Sequence, residues 1–279
     1  TTVGQVSRRG VYPLSWTLDS VGPLTRDASD AELVYRLIAT HDEDDSSMKA
    51  FQRISEPHSK ELDGFMSKQR LAYAQNIFFD DCDPEVEASV QATSTVFADL
   101  GAKVEYRSFE MADAALRLNP KGLVIAAEAY YSNRKLIEEH FDELDPAVSH
   151  RLIKGKEVSA VDYLDIQAGL KAIRNDAKQF FETVDAVLVP TVMTPPVSVA
   201  FCHSSLDAYS KINVSCLRNT AIGNLLNLSA VTVPCGFNLQ GLPIGLMIYG
   251  KPFDEIKILK IARSFQEKTR WHLERPHID

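Results

Sequence analysis

The sequence predicts an α/β chain with an α/β/α layered fold around a central mixed β-sheet, and three stretches predict it. The first is the strand, helix, strand run from Leu71 to Tyr106, a βαβ unit that supplies parallel pairing. The second is the short apolar run Ala186-Val187-Leu188-Val189, which stops at Pro190 as a buried strand of such a sheet does. The third is the pair of apolar runs Val231–Val233 and Ile244–Tyr249, joined across Asn238-Leu239-Gln240-Gly241 as a hairpin. A hairpin beside a βαβ unit makes the sheet mixed.

In order along the chain, the stretch to Asp27 is rich in turn residues (Gly10, Pro13, Gly22, Pro23) without a helical period, and irregular structure with short strands is expected. Ser29-Asp30-Ala31-Glu32 reads as a capping box, with Leu33, Val34, Leu37 and Ile38 at helical spacing behind it, so a helix to about Ala39 follows. From His41 to Ser67 the composition turns polar and acidic, and this excursion around 41–70 reads as a solvated connection: the spacing of Asp42-Glu43-Asp44-Asp45 fits no calcium loop. Leu71–Phe78 is the first strand. Asp83 caps a helix with Pro84 at its first position and Gly101 past its end, and Lys103–Tyr106 alternates as the next strand. Helical patterns follow at 121–141 and 160–183, the latter opened by Ser159 and closed before Asp185. A last amphipathic helix runs from Asp254 to Glu267 on Ile256, Leu259, Ile261 and Phe265. No internal repeat is present.

Composition narrows the function. At 279 residues with 45% hydrophobic and 24% charged residues, the chain buries a sizeable core. A net charge of −8 with no Lys/Arg-rich run argues against nucleic acid as a ligand. No apolar run approaches the ~18–20 residues of a membrane span, and no secretory leader opens the chain. Four irregularly spaced cysteines make neither a disulfide framework nor a C-x-x-C metal site, so a cytoplasmic location is expected. Thr1 is not an initiator methionine and the chain begins as though inside a folded element, so a fragment or processed chain is expected.

Self-sufficient catalytic motifs are missing: no G-x-S-x-G elbow, Walker A loop, H-E-x-x-H or G-x-G-x-x-G occurs. Cys202 and His203 are adjacent, and on an extended segment neighbouring side chains point apart, which disfavours a nucleophile pair. Cys235, after Pro234 at a strand end, reads as packing.

Three ordered blocks carry a resemblance. The opening Gly4-Gln5-Val6-Ser7-Arg8-Arg9-Gly10-Val11-Tyr12-Pro13, continuing through Ser15-Trp16-Thr17-Leu18-Asp19-Ser20-Val21-Gly22-Pro23, is the first. Val184–Thr191 is the second. Asn224–Phe237 with Gly241-Leu242-Pro243-Ile244-Gly245-Leu246 and Gly250-Lys251-Pro252-Phe253-Asp254-Glu255 is the third. Together they resemble the amidase signature family over nearly the whole chain, with little of the match in positions 41–160. The resemblance implies that residues 1–279 form the C-terminal portion of a single amidase signature domain, cleaving a carboxamide C–N bond through a serine acyl-enzyme without metal or organic cofactor. A metal-dependent amidase would need a His/Asp cluster, which seven scattered histidines do not offer.

In that family a serine is activated through a second serine and a lysine. By the family's layout the nucleophile lies about fifteen residues before Thr1, so no catalytic residue is placed in this chain. What the resemblance assigns here is the far wall of the cleft: Asp19, Glu128, Tyr131, Thr191, Arg218 and Asn219 as substrate-binding candidates. For Asp19 a turn-capping role stays open, for Glu128 a solvated helix position, for Tyr131 packing, for Thr191 a strand-end hydroxyl, and for Arg218 and Asn219 helix packing. Two departures stand out. Leu217, seven residues before Asn224, occupies the position where the family's glutamine-using subunits carry an aspartate, and Asn227-Leu228-Ser229 stands where Gly-Leu-Pro is commoner. Expected partners are a small-molecule amide, an N-terminal portion of the same enzyme and, in an assembly, a second copy. The rival readings are a non-catalytic truncated homologue and an amidotransferase A-type subunit.

Overall fold

The computed structural model describes residues 1–56, 58 and 62–276; the remaining positions of the 41–70 excursion lie outside the described residues. Its helices are α1 (Ala28–Ile38), α2 (Pro84–Asp99), α3 (Glu110–Leu118), α4 (Leu123–His140), α5 (Pro146–Leu152), α6 (Ala160–Phe180), α7 (Val199–Cys202), α8 (Leu206–Leu226) and α9 (Glu255–Thr269). The strands are β1 (Arg70–Ala74), β2 (Lys103–Arg107), β3 (Ala186–Pro190), β4 (Ser229–Phe237) and β5 (Pro243–Gly250), and they form one sheet in the order β2-β1-β3-β5-β4. β1 pairs parallel with β2 and β3, whereas β5 pairs antiparallel with β3 and β4. The sheet is mixed, as the sequence predicts.

Strand alternation sorts the core into two layers. Ala72, Ala74, Val187, Val189, Met247 and Tyr249 point to one face and pack against Phe109, Leu170, Ile222 and Leu225 from the α3, α6 and α8 side. Leu71, Tyr73, Leu188, Ile244, Leu246 and Ile248 point to the other, against Val86, Val90 and Phe97 of α2 and Ile258, Ile261 and Phe265 of α9. Both faces of β3 are covered, which is why all five of its residues are buried and its sequence is an unbroken apolar run.

Local chemistry explains most boundaries. The Asp83 carboxylate accepts from the N–H groups of Glu85 and Val86, Pro84 takes the first turn, and Gly101 sits at φ +93° beyond the end of α2. Ser159 caps α6 by accepting from Asp162 N. Asn227 closes α8 at φ 55°, ψ 42°, the left-handed region that asparagine tolerates, so it fills the backbone conformation for which glycine is commoner in this motif.

Several expectations are corrected. The cap of α1 is Asp27, whose side chain accepts from Asp30 N, not Ser29. Glu32 does not reach back as a capping box requires; its buried carboxylate takes Arg36 and His58 instead. β1 ends at Ala74, and Gln75–Phe78 turn away where Asn76 bonds across to Phe109. α3 has no counterpart in the sequence reading, and α8 appears there only as the helix-packing alternative for Arg218 and Asn219. α3 starts at Phe109 with no side-chain cap, so nothing punctuates it. α8 buries residues only from Asn219 onward and leaves Leu206, Val214 and Leu217 exposed, which blurs the apolar stripe.

Candidate functional site

In an open α/β sheet, ligands sit outside the carboxyl ends of parallel strands, where the strand direction or connection switches. Here that point is the end of β3, flanked by parallel β1 and antiparallel β5. Asn219 on α8, fully buried, spans it: its Nδ2 donates to Phe78 O (3.1 Å) in the loop after β1 and to Pro190 O (2.8 Å) at the end of β3. Arg218 donates from Nη2 to the same Phe78 carbonyl at 3.2 Å and from Nε to Asn219 Oδ1 at 3.2 Å. Desolvation lowers the Arg218 pKa, with Asp80, Asp81 and Cys82 opposing. Burial beside Glu87 raises the Cys82 thiol to about 11, so it is protonated at neutral pH. Thr191, one residue past β3, brings its hydroxyl to 3.2 Å from that of Thr232 on β4, and Gly245 of β5 lies beneath the pair.

A second group forms where the segment Leu14–Asp19 crosses α4 and α6. Glu128 is fully buried, and four donors saturate its carboxylate: Ser15 Oγ (2.5 Å), Thr17 N (3.1 Å), Thr17 Oγ1 (2.8 Å) and Tyr163 Oη of α6 (2.6 Å). Burial and then the Glu128 carboxylate push the Tyr163 phenol above its ordinary pKa, so it remains a donor at neutral pH. Asp19 Oδ2 accepts from Leu14 N (3.0 Å) and Ser15 N (2.9 Å), closing the segment on itself. Arg8 Nη1 donates to Trp16 O (2.7 Å) and Asp19 O (3.1 Å). Tyr131, one turn along α4 from Glu128, is 68% exposed and meets Trp16, 42% exposed, with ring centroids 5.5 Å apart at 75°.

The structure therefore gathers Asp19, Glu128 and Tyr131 in one group and Thr191, Arg218 and Asn219 in another. α8 links them: Asn224 Nδ2 donates to Leu18 O at 2.9 Å, and the Leu18 side chain packs into the core beside Ile222 and Leu225. Ser15, Trp16, Thr17, Tyr163 and Thr232 complete the two groups, and sequence reasoning alone misses them. The segment Ser15-Trp16-Thr17-Leu18-Asp19 is visible as a motif, but only the fold shows which of its side chains turn inward on Glu128. Tyr163 carries no local signal.

Among the described residues no group of three or more His, Cys, Asp or Glu side chains is arranged to hold a metal ion. A cavity of about 300 Å³ opens between the 22–28 segment, β4 and α9, lined by Tyr35, Val231, Val233, Glu255 and Ile258 among others. None of the six candidate residues lines it, but Thr232, the hydroxyl partner of Thr191, does.

The Amidase family model matches residues 1–259. A 2-amino-5-chloromuconic acid deaminase of Comamonas testosteroni is 33% identical over 267 residues, which cover 94% of this chain and 54% of the relative. The A-type subunit of a glutamyl-tRNA(Gln) amidotransferase from Roseiflexus sp. (strain RS-1) is 30% identical over 300 residues, 99% of this chain and 60% of the relative. The allophanate hydrolase of Kluyveromyces lactis superposes with a TM-score of 0.80 at 23% identity, covering 96% of this chain and 42% of that one, a likeness of fold. The chain thus spans little more than half the length of the curated relatives it matches. With the match extending through both candidate groups and the hairpin, the chain belongs to the Amidase family.

Proposed function

We propose that this chain is the C-terminal portion of a single-domain amidohydrolase that cleaves a small carboxamide through a serine acyl-enzyme, the nucleophile and its relay being supplied by chain outside Thr1–Asp279. The observation that carries the reading is the family match over residues 1–259 in a chain covering 54% of its deaminase relative and 60% of its amidotransferase relative. The physical requirements agree with it. A serine hydroxyl needs a base within hydrogen-bond reach, and the developing oxyanion needs preorganised donors. No motif for either occurs in these residues, so the chain by itself is inactive in this reading, and its two polar groups build the wall against which the substrate lies. Four unpaired cysteines, Cys82, Cys202, Cys216 and Cys235, support a cytoplasmic enzyme. Among the described residues no helix is long and apolar enough to cross a membrane.

The test is labelling with a fluorophosphonate serine probe alongside intact mass. We expect a polypeptide longer than this chain, or a second bound one, to take up the probe and to release ammonia from simple carboxamides. A mass matching Thr1–Asp279, with no labelling, would sink the reading and leave a non-catalytic homologue. The amidotransferase subunits among the relatives favour a second reading, a glutamine-using subunit. Leu217, 45% exposed on α8, weighs against it, because an isobutyl group there offers no charge to an α-ammonium. Glutaminase activity with co-purifying subunits would reverse that preference.

A further inference from the structure

We propose that Trp16 and Tyr131 form an aromatic corner that receives the flat acyl group of an aromatic or unsaturated amide, and that Glu128 is the positioning residue holding this corner in place. The proposal rests on the amidase reading and narrows its substrate class.

Two observations carry it. The first is shape. Trp16 and Tyr131 stand edge to face, 75° apart with centroids at 5.5 Å, and both stay substantially open. Two rings at nearly a right angle present one face and one edge to the same space, and a planar π-system fills such a corner with a stacked and an edge contact at once. A short aliphatic chain gains only buried area there.

The second is rigidity. An exposed tryptophan on an irregular segment would ordinarily sample many positions. Here the residues on either side of it, Ser15 and Thr17, are both clamped to the buried Glu128, and the Trp16 carbonyl is held by Arg8. Tyr163 reaches the same carboxylate from α6, and the Trp16 indole approaches that phenol oxygen. Four donors on one carboxylate with no cation among them make a fixed anchor. The ordering that binding would otherwise cost has been met by folding.

The experiment uses the protein expressed from its full coding sequence, with benzamide as the flat probe and propionamide as the aliphatic one. Trp16 and Trp271 are the tryptophans of residues 1–279, so the Trp16 signal is read in W271F as the difference from the W16F/W271F double variant, which carries any tryptophan of the remaining sequence, and W16F is the control for quenching. Saturable quenching by benzamide in W271F, absent in W16F and absent with propionamide, is the expected result. In hydrolysis, W16A and Y131A should each raise KM for benzamide about three- to tenfold, the size expected of one aromatic contact, while leaving kcat within about twofold and KM for propionamide unchanged. E128Q should reproduce that KM change and lower the Trp16 fluorescence anisotropy, with Y163F doing the same more weakly because three donors remain. W16L and Y163F keep the test open where W16A or E128Q fails to fold.

Equal quenching by both amides, or W16A raising KM for both alike, would overturn the proposal while leaving the amidase reading intact. Trp16 emission that is blue-shifted and deaf to acrylamide in the free protein would overturn it too, by showing the corner covered by other parts of the protein. Quenching in a protein that hydrolyses no amide would keep the corner and sink the amidase reading.

Discussion

Asn219 shows how a single buried side chain sets the geometry of a strand end. It donates to a carbonyl in the loop after β1 and to one at the end of β3 and accepts from Arg218, while its own main-chain oxygen takes the Tyr249 hydroxyl at 2.6 Å. Replacing it with alanine would strand Phe78 O and Pro190 O in a buried setting, at about 1–3 kcal/mol per unpaired group. Some of that is recovered because Arg218 already reaches Phe78 O. We therefore expect Asn219→Ala to lower stability by about 2–3 kcal/mol, read from the urea midpoint, and Asn219→Asp to do no better, since a carboxylate has no N–H to donate. A midpoint within experimental error of the unsubstituted protein would show that these bonds do not hold the strand ends. At this scale the sequence is only partly legible. Asp19, Glu128 and Asn219 stand in motifs that can be picked out by eye, yet the division between inward and outward side chains is set by tertiary contacts. From sequence alone Glu128 either lines a pocket or faces solvent; the structure rules out solvent, burying it and saturating its carboxylate with residues 111 to 113 positions earlier and 35 later.

Elements are legible where a residue punctuates them. Asp83-Pro84, Ser159 and the Asn238–Gly241 turn each mark a boundary through a local hydrogen bond or a restricted backbone, and the structure has those boundaries to within a few residues. α3 lacks such a mark and is made a helix by long-range packing, whereas α8 has its Ser205 cap and Asn227 close but no clean apolar stripe along its first half. The contact between α4 and the turn Ile153–Glu157 depends on one residue that carries no mark at all, Gly155. A β-carbon there would lie 1.9 Å from Ala126 O and 2.6 Å from the Tyr130 β-carbon, far inside van der Waals contact with backbone that cannot swing aside. Gly155→Ala should thus force the turn off α4 and destabilise the protein by about 3 kcal/mol, at the upper end of overpacking costs. Because α4 carries Glu128 and Tyr131, amide protection along α4 should fall as well. Hydrogen exchange that leaves α4 as protected as before would contradict this account.

Across the whole molecule, charge ties pieces that are far apart in sequence, and two carboxylates dominate. Asp185, just before β3, accepts from Arg70 N (2.9 Å) and Arg70 Nε (3.1 Å) at the start of β1, with Lys257 of α9 at 3.8 Å. Glu32 on α1, buried, takes Arg36 at 2.7 Å and His58 at 3.0 Å, with Arg263 of α9 at 3.7 Å. In each case desolvation pushes the carboxyl up, and the hydrogen bonds and cations outweigh it, so both are held below their ordinary values. A carboxyl with a folded pKa below its unfolded one contributes its full stabilisation above the unfolded value, and loses it as pH falls through the folded value. The window therefore opens near the ordinary Asp value of about 4 and extends downward. Asp185→Asn removes the charge at every pH. It should cost stability at about pH 7, and the gap to the unsubstituted protein should narrow as the pH falls below about 4 toward the lowered folded value at which Asp185 itself becomes neutral. Urea midpoints of the two proteins measured across that range decide it. Converging curves assign the acid sensitivity to the β1–β3 junction, whereas a constant offset would mean that Asp185 acts through packing and that its charge is immaterial.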